Sequence, residues 1–69
     1  MFQVYSYFDL LTKSGKLISR NGKLKDSVKF AGVWIRESPY HDPGDPLRIE
    51  EVVFGGDGQV VERKIVKEF

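Results

Sequence analysis

The clearest alternation of apolar and polar positions covers residues 47–69, LRIEEVVFGGDGQVVERKIVKEF, on both sides of a glycine-rich turn. β-Branched residues flank this turn, which predicts a β-hairpin. A three-residue loop of 56–58 places Gly58 in the left-handed conformation that a type I turn with a bulge requires. Counting outward from this loop predicts the cross-strand pairs Phe54–Val60, Val53–Val61, Glu51–Arg63, Glu50–Lys64 and Ile49–Ile65.

Other loop lengths predict other registers for this hairpin. A two-residue loop places Glu51 opposite Lys64 but Val52 opposite Arg63, and a four-residue loop places Glu51 opposite Glu62, which is a like-charge pair. Each cross-strand pair contributes roughly 0.2–1 kcal/mol. The three-residue loop is therefore favoured, because it makes the larger number of favourable pairs.

Residues 1–12 carry apolar side chains at both odd and even positions, and so on both faces of a strand. This is typical of a strand at the centre of a sheet or in a closing barrel. The turn that follows, Lys13-Ser14-Gly15, again ends in a glycine suited to the left-handed position. It predicts a second hairpin, in which Leu11 lies opposite Leu17 and Leu10 lies opposite Ile18.

Residues 16–37 are predicted to continue the meander. Asn21-Gly22 is a common type I′ turn dipeptide and predicts a turn after a short strand over 16–20. In residues 28–37, VKFAGVWIRE, the apolar pair Val28 and Phe30 fits the alternation of a strand, and so does the pair Val33 and Ile35, but the two pairs are out of phase by one position. This shift predicts a strand with a β-bulge at Ala31-Gly32. A helix over 26–35 is the competing prediction, and Gly32 together with the β-branched and aromatic residues disfavours it.

The segment 38–46, SPYHDPGDP, holds three prolines and a glycine, which exclude regular structure and predict a stiff loop. Together these patterns predict one all-β domain over 1–69. The expected architecture is a small antiparallel barrel or a strongly curved sheet of five to six strands, an SH3-like or OB-like meander with no major helix.

The composition predicts a small domain, which we expect in the cytoplasm. Of its 69 residues, 41% are hydrophobic and none is cysteine, so a core must form without disulfides. The sequence shows no signal-peptide pattern and no apolar run near the ~20 residues that cross a bilayer, so no membrane association is expected. The net charge is +1, but residues 1–36 carry a balance of +5 and residues 37–69 a balance of −4.

The sequence contains no pattern of catalytic or cofactor-binding residues, so we expect neither an enzyme nor a bound cofactor. His41, Asp42 and Asp45 lie close together, but their spacing matches no established zinc or calcium site, and turn chemistry explains the two aspartates. The glycines at 55–58 lack the lysine and the following helix of a phosphate-binding loop.

Two functions fit a small domain of this kind. The first is a non-catalytic module that binds a protein partner, as an inhibitor or adaptor, because a rigid aromatic side chain in the proline-rich loop is a suitable anchor. Its predicted contact residues are Arg36, Glu37, Tyr40 and His41. The alternative is a nucleic-acid-binding barrel that combines cations with nearby aromatic rings. Its predicted contact residues are Lys13, Lys16, Arg20, Lys23, Lys25 and Lys29.

Self-association is also expected, because a core this small leaves apolar strand positions uncovered. The last strand, over 59–69, is predicted to lie at a sheet edge and to present Val60 and Val66 on its less buried face. Pairing of two such edges, or packing of two such faces, would form a homo-oligomer.

Overall fold

The computed structural model describes residues 5–69, which form a four-stranded antiparallel sheet with one helix packed on one face. The strand order is β2-β1-β3-β4, so β1 and β3 are central and β2 and β4 are the edges. The helix connects the edge strand β2 to β3. The elements are β1 (Tyr5–Thr12), β2 (Leu17–Asn21), α1 (Leu24–Glu37), β3 (Leu47–Phe54) and β4 (Val60–Glu68).

This architecture corrects the predicted fold class. The protein is a small, mostly-β domain, but the sheet is open, has four strands rather than five or six, and carries a helix of 14 residues. The predicted SH3-like or OB-like barrel is therefore wrong. The central position expected for the first strand is correct over Tyr5–Thr12, and residues 1–4 of that prediction lie outside the described residues.

The strand predicted over 28–37 is wrong, because these residues belong to α1. In a helix, Val28, Ala31 and Trp34 recur at close to the 3.6-residue period and all three pack on the core, whereas Phe30 and Ile35 are each 40% exposed. Ser27 and Ala31 are small and fully buried, so the helix axis comes close to the sheet. Burial of this face outweighs the local preference of valine, isoleucine and tryptophan for strands.

The helix is tied to the sheet near its start and ends at its C-cap, Ser38. The Ser27 hydroxyl, in the first turns of α1, donates a hydrogen bond of 2.8 Å to the Phe8 carbonyl and accepts one of 3.3 Å from the Asn21 amide. At the other end, Ser38 has an extended conformation and its N–H donates to the Trp34 carbonyl at 3.0 Å. Pro39 follows, which disfavours a helical conformation at Ser38 and ends the helix.

The hydrophobic core lies between α1 and the three strands beneath it. Its fully or nearly fully buried members are Leu10, Ala31, Leu47 and Ile49. Partly buried side chains complete it at the borders, namely Phe8, Ile18, Val28 and Trp34. Alternate positions of β1 and β3 point to this face, and the positions between them point to the opposite face, which we call the outer face.

The first hairpin confirms the predicted turn but not the whole register. Leu11 lies opposite Leu17, and Gly15 has a φ of 100°. Beyond this pair a bulge shifts the strands, so that Leu10 lies opposite Ser19 instead of Ile18. The turn predicted at Asn21-Gly22 is wrong, because β2 ends at Asn21 and the chain continues into α1.

In the second hairpin, too, the predicted turn is confirmed but most of the predicted register is not. Gly58 has a φ of 80° and Phe54 lies opposite Val60, both as predicted. The Gly58 N–H donates to the Gly55 carbonyl at 3.0 Å and closes the turn. The four predicted pairs beyond Phe54–Val60 are wrong, because a bulge at Val61 shifts the register by one residue. The observed pairs are Val53–Glu62, Val52–Arg63, Glu51–Lys64 and Glu50–Ile65.

The helix covers only part of the sheet. In the described part of the chain, α1 contacts β1, β2 and β3 but not β4. All nine residues of β4 are exposed. Over residues 5–69, no helix has the length and the apolar character that crossing a membrane requires.

Candidate protein-interaction site

The segment 38–46, here called the proline loop, connects α1 to β3 and is held by hydrogen bonds among its own residues. The Tyr40 N–H donates to the Ser38 hydroxyl at 3.1 Å, and the Gly44 N–H donates to the Asp42 carboxylate at 2.8 Å. Asp45 closes the next turn, with its N–H 3.0 Å from the Asp42 carbonyl. These local bonds and three prolines restrict the conformations available to the loop.

The proline loop is also tied to the turn between β1 and β2. The Asp45 carboxylate accepts hydrogen bonds from the Ser14 N–H at 2.9 Å and from the Ser14 hydroxyl at 2.6 Å. The Lys13 N–H donates to the Pro46 carbonyl at 2.8 Å. Hydrogen bonding from Ser14 lowers the pKa of Asp45 below its ordinary value, so the carboxylate is charged at neutral pH.

Tyr40 extends from this anchored loop into solvent. Its side chain is 79% exposed, the largest fraction among the described large apolar residues. His41 next to it is half-buried, and its Nδ1 atom is buried without a hydrogen-bond partner among the described residues. Both residues line a shallow cavity of about 140 Å³, whose apolar wall is formed by Ile18, Trp34 and Leu47.

The other two predicted protein-binding residues, Arg36 and Glu37, are exposed in the last turn of α1 and lead directly into the proline loop. The structure therefore brings the four predicted residues to one end of the molecule. A larger depression of about 430 Å³ adjoins this end, and its apolar lining includes Pro46, Ile65 and Phe69. Lys13, Arg48 and Glu68 also line it, so the surface between the loop, the start of β3 and the end of β4 is of mixed character.

The aspartates of the proline loop have structural roles. Asp42 accepts the Gly44 N–H, and Asp45 accepts the two hydrogen bonds from Ser14. Residues 5–69 contain no group of three acidic, histidine or cysteine side chains placed to hold a metal ion. The carboxylates at this end organise the loop and add negative charge beside Tyr40.

The six residues predicted to bind nucleic acid lie at three places. Lys13 and Lys16 flank the turn between β1 and β2, at the proline-loop end. Arg20 lies on the outer face of β2. The three others are exposed at and beyond the start of α1, at Lys23, Lys25 and Lys29. The predicted stretch 13–29 does not form a single basic patch.

The outer face carries an ion-pair network that sequence reasoning missed. At its centre Asp9, on β1, is fully buried and accepts two hydrogen bonds from Arg20, at 2.6 and 2.8 Å. Glu50, its neighbour on β3, accepts hydrogen bonds from Arg48 at 2.6 Å and Arg63 at 2.8 Å. Arg63 also lies 3.6 Å from Asp9 and so connects the two carboxylates.

An aromatic cluster adjoins this network. The rings of Tyr5 and Phe54 stack with centroids 5.6 Å apart, and Tyr7 meets Phe54 edge to face at 5.8 Å. The Arg20 guanidinium lies over Phe54 and Tyr7, 5.2 and 5.7 Å from the ring centres. Arg20 therefore joins the charged and the aromatic parts of the outer face.

Burial and neighbouring charges shift the pKa of Glu50 in opposite directions. Removal from water raises the pKa of this carboxyl group, but the hydrogen bonds from Arg63 and Arg48 outweigh burial and hold it below its ordinary value. The signal in the sequence was Asp9, a carboxylate within an otherwise apolar central strand. A buried acid of this kind requires a cation, and its partners became identifiable only once the strand register was known.

No family model, curated protein or solved structure matches this chain.

Proposed function

We propose that this protein is a non-catalytic interaction module that binds a protein partner through the proline loop, as an inhibitor or adaptor. The observation that carries the proposal is the exposure of Tyr40, at 79%, on a loop that is anchored at both ends. The rigid loop holds this large aromatic side chain in water, where its apolar surface makes few contacts. In the isolated domain, no function compensates for this loss of apolar contact.

Rigidity of the loop supports this assignment. Binding immobilises loops and side chains, and this loss of entropy reduces affinity. The proline loop loses little further freedom on docking, because three prolines, the turn at Asp42 and the Ser14–Asp45 bonds already hold it. Tyrosine is also a side chain that contributes strongly to binding at the centre of an interface.

The surroundings indicate the chemistry of the partner. Around Tyr40 lie the small cavity beside Trp34 and His41, and the carboxylates of Glu37 and Asp42. Lys16 and Arg36 lie at the same end, so the rim carries both signs of charge. A partner that inserts an apolar side chain into this cavity and carries both acidic and basic side chains around it complements the surface.

The test begins with affinity capture from the native cell and proceeds to calorimetry with the partner so identified. Tyr40→Ala is expected to weaken binding by about 2 kcal/mol, or about 30-fold, which is typical of an aromatic residue at the centre of an interface. Its unfolding temperature should be nearly unchanged, because the exposed ring makes few contacts within the domain.

Tyr5→Ala is the matched control, since Tyr5 is a second partly exposed tyrosine, at 44%, on the outer face. It should lower stability through the lost stacking with Phe54 and leave the affinity unchanged. The proposal is wrong if Tyr40→Ala loses stability and keeps full affinity, because Tyr40 would then serve the fold alone.

The alternative function, nucleic-acid binding, is supported by one feature of α1. Lys25, Lys29 and Arg36 follow each other at helical spacing on the solvent side, and Gly32 between them leaves the helix surface flat. A phosphate backbone could approach this stripe closely. Mobility shifts with short single- and double-stranded oligonucleotides at low salt test it, because phosphate neutralisation produces a steep salt dependence. Absence of any shift would eliminate this alternative.

A further inference from the structure

We propose that two copies of this chain associate by antiparallel pairing of their β4 strands, in a register centred on Arg63. This interface lies on the sheet edge and differs from the proline loop in position and in partner. It would join two four-stranded sheets into one continuous sheet of eight strands.

The edge at β4 is long and uncovered. β4 has nine residues, all exposed, and among the described elements it pairs with β3 alone. Backbone N–H and C=O groups of alternate residues therefore point away from the sheet. The opposite edge, β2, has five residues and lies under α1, which makes it the weaker candidate.

Symmetry limits the registers that two copies can adopt. In an antiparallel pair, directly opposed side chains lie on the same face of the sheet. A twofold-symmetric pairing of β4 must therefore be centred on one residue, which lies opposite the same residue of the partner. The bulges against β3 fall at Val61 and Val66, so the regular part of β4 is 62–65. The centre of a regular pairing must lie within that stretch.

Of the registers centred within it, the one centred on Arg63 places opposite charges together. Glu62 then faces the partner's Lys64 at two symmetric positions. Val61 and Ile65, whose side chains are 64% and 53% exposed, flank these pairs and would become partly covered. Arg63 faces its own copy, but its charge is offset by Glu50 at 2.8 Å and Asp9 at 3.6 Å.

The other centres are unfavourable. Centring on Lys64 or on Glu62 places like charges at the centre of the pairing with no opposite-charge pair beside them. Centring on Ile65 places Glu62 opposite the partner's Glu68 and Arg63 opposite the partner's Lys67. Charged residues on an edge strand normally prevent pairing. In β4 the charges disfavour the three registers centred on Glu62, Lys64 and Ile65, and they favour the one centred on Arg63.

Sedimentation of the full chain, from about 10 μM to about 1 mM, measures the association over the range in which a dimer of modest affinity changes its population. The expected result is a concentration-dependent species of twice 7.9 kDa. Amide protons along the open edge of β4 should become protected from exchange as the dimer forms. A mass of 7.9 kDa throughout this range would overturn the proposal.

Charge exchange tests the register itself. Glu62→Lys places lysine opposite lysine twice and is expected to weaken the dimer by at least about tenfold. Lys64→Glu should do the same with glutamates. An equimolar mixture of the two variants should dimerise again, because each copy then supplies the charge that the other lacks.

Lys64 also lies 3.4 Å from Glu51, so Lys64→Glu can disturb the β3–β4 hairpin. Lys64→Gln is the second variant, and its mixture with Glu62→Lys should still associate more strongly than Glu62→Lys alone. Glu37→Lys, with the same charge change at the exposed end of α1, should leave the dimer unchanged. Equal dimerisation of Glu62→Lys and the unmodified chain would place the contact elsewhere and refute the register.

Discussion

At position 9 a carboxylate lies fully buried in a central strand of the sheet, on the outer face, which no second layer covers among residues 5–69. Arg20 and Arg63, from strands on either side, neutralise it with their guanidinium groups. The long side chains of these arginines also shield apolar neighbours, and Val52, which lies between Tyr7 and Arg63 in the sheet, is completely buried. Charged residues here take the place of a second hydrophobic layer.

Removal of Arg20 should therefore destabilise the fold. Arg20→Ala leaves Asp9 buried with only the more distant Arg63, and we expect a loss of about 2 kcal/mol, below the figure for fully buried pairs because the Arg20 side chain is 38% exposed. Urea denaturation measures the change. Adding Asp9→Asn to this variant should restore part of the stability, because a neutral amide is less costly to bury than an unpaired carboxylate.

The matched control is Lys25→Ala, which removes an exposed cation from the first turn of α1 and should change stability by less than about 0.5 kcal/mol. Equal stability of Arg20→Ala and the control would contradict a structural role for the Asp9–Arg20 pair.

At the scale of elements, the two hairpins share one design. Each has a glycine with a positive φ at its turn and a bulge shortly after the turn, at Leu10/Leu11 in one hairpin and Val53/Phe54 in the other. The turn glycines were predictable because few other residues adopt this conformation without strain. The bulges were not, because an inserted residue is favoured by contacts across the whole sheet.

Gly58→Val should destabilise the second hairpin by more than about 1 kcal/mol, because a β-branched residue is strained at a φ of 80°. Nothing lies within 4 Å of the position its Cβ would occupy, so the cost comes from the backbone and not from a clash. The denaturation midpoint measures it. Gly22→Val, at an equally open position without a left-handed φ, should have a smaller effect. Similar midpoints for both variants would show that the Gly58 conformation is not required.

The molecule as a whole has two differently protected faces. The helix covers one face over β1, β2 and β3, and the ion-pair network protects the other. β4 extends beyond the helix and carries no buried residue. Because this strand is exposed, association of two copies through β4 would add most to the surface that a single copy buries.

Acid should destabilise the whole fold through the carboxylates that the structure holds charged. The pKa of Glu50 is lower in the folded chain than in the unfolded chain, so its contribution is present above the unfolded pKa and is lost as the pH falls through the folded one. Stability should decline below about pH 4. Denaturation of the unmodified chain and Glu50→Gln across this range should show a shallower decline for the variant.

Glu37→Gln, which alters an exposed carboxylate with no ion pair among the described residues, should follow the unmodified chain. Parallel curves for Glu50→Gln and the unmodified chain would mean that the network contributes nothing to acid sensitivity.

Local patterns by themselves determined both turns, the strands next to them, the irregular proline loop and the proximity of Arg36 and Glu37, at its base, to Tyr40 and His41 within it. Each of these depends on backbone geometry or on neighbours in the chain, so the residues carry the information directly. The edge position of β4 agrees with the prediction for 59–69, but the order of strands in the sheet is decided by tertiary structure.

Tertiary structure alone decided that 24–37 is a helix, that the sheet is open and that the basic residues of 13–29 are dispersed. Valine and tryptophan favour a strand locally, but in the folded chain Ser27 and Ala31 permit close packing over β1 and β3, and that burial outweighs the local preference. The Asp9–Arg20 pair likewise depends on a register that a bulge shifts by one residue. A shift of this size changes every cross-strand partner, and its energy comes from contacts between segments distant in sequence.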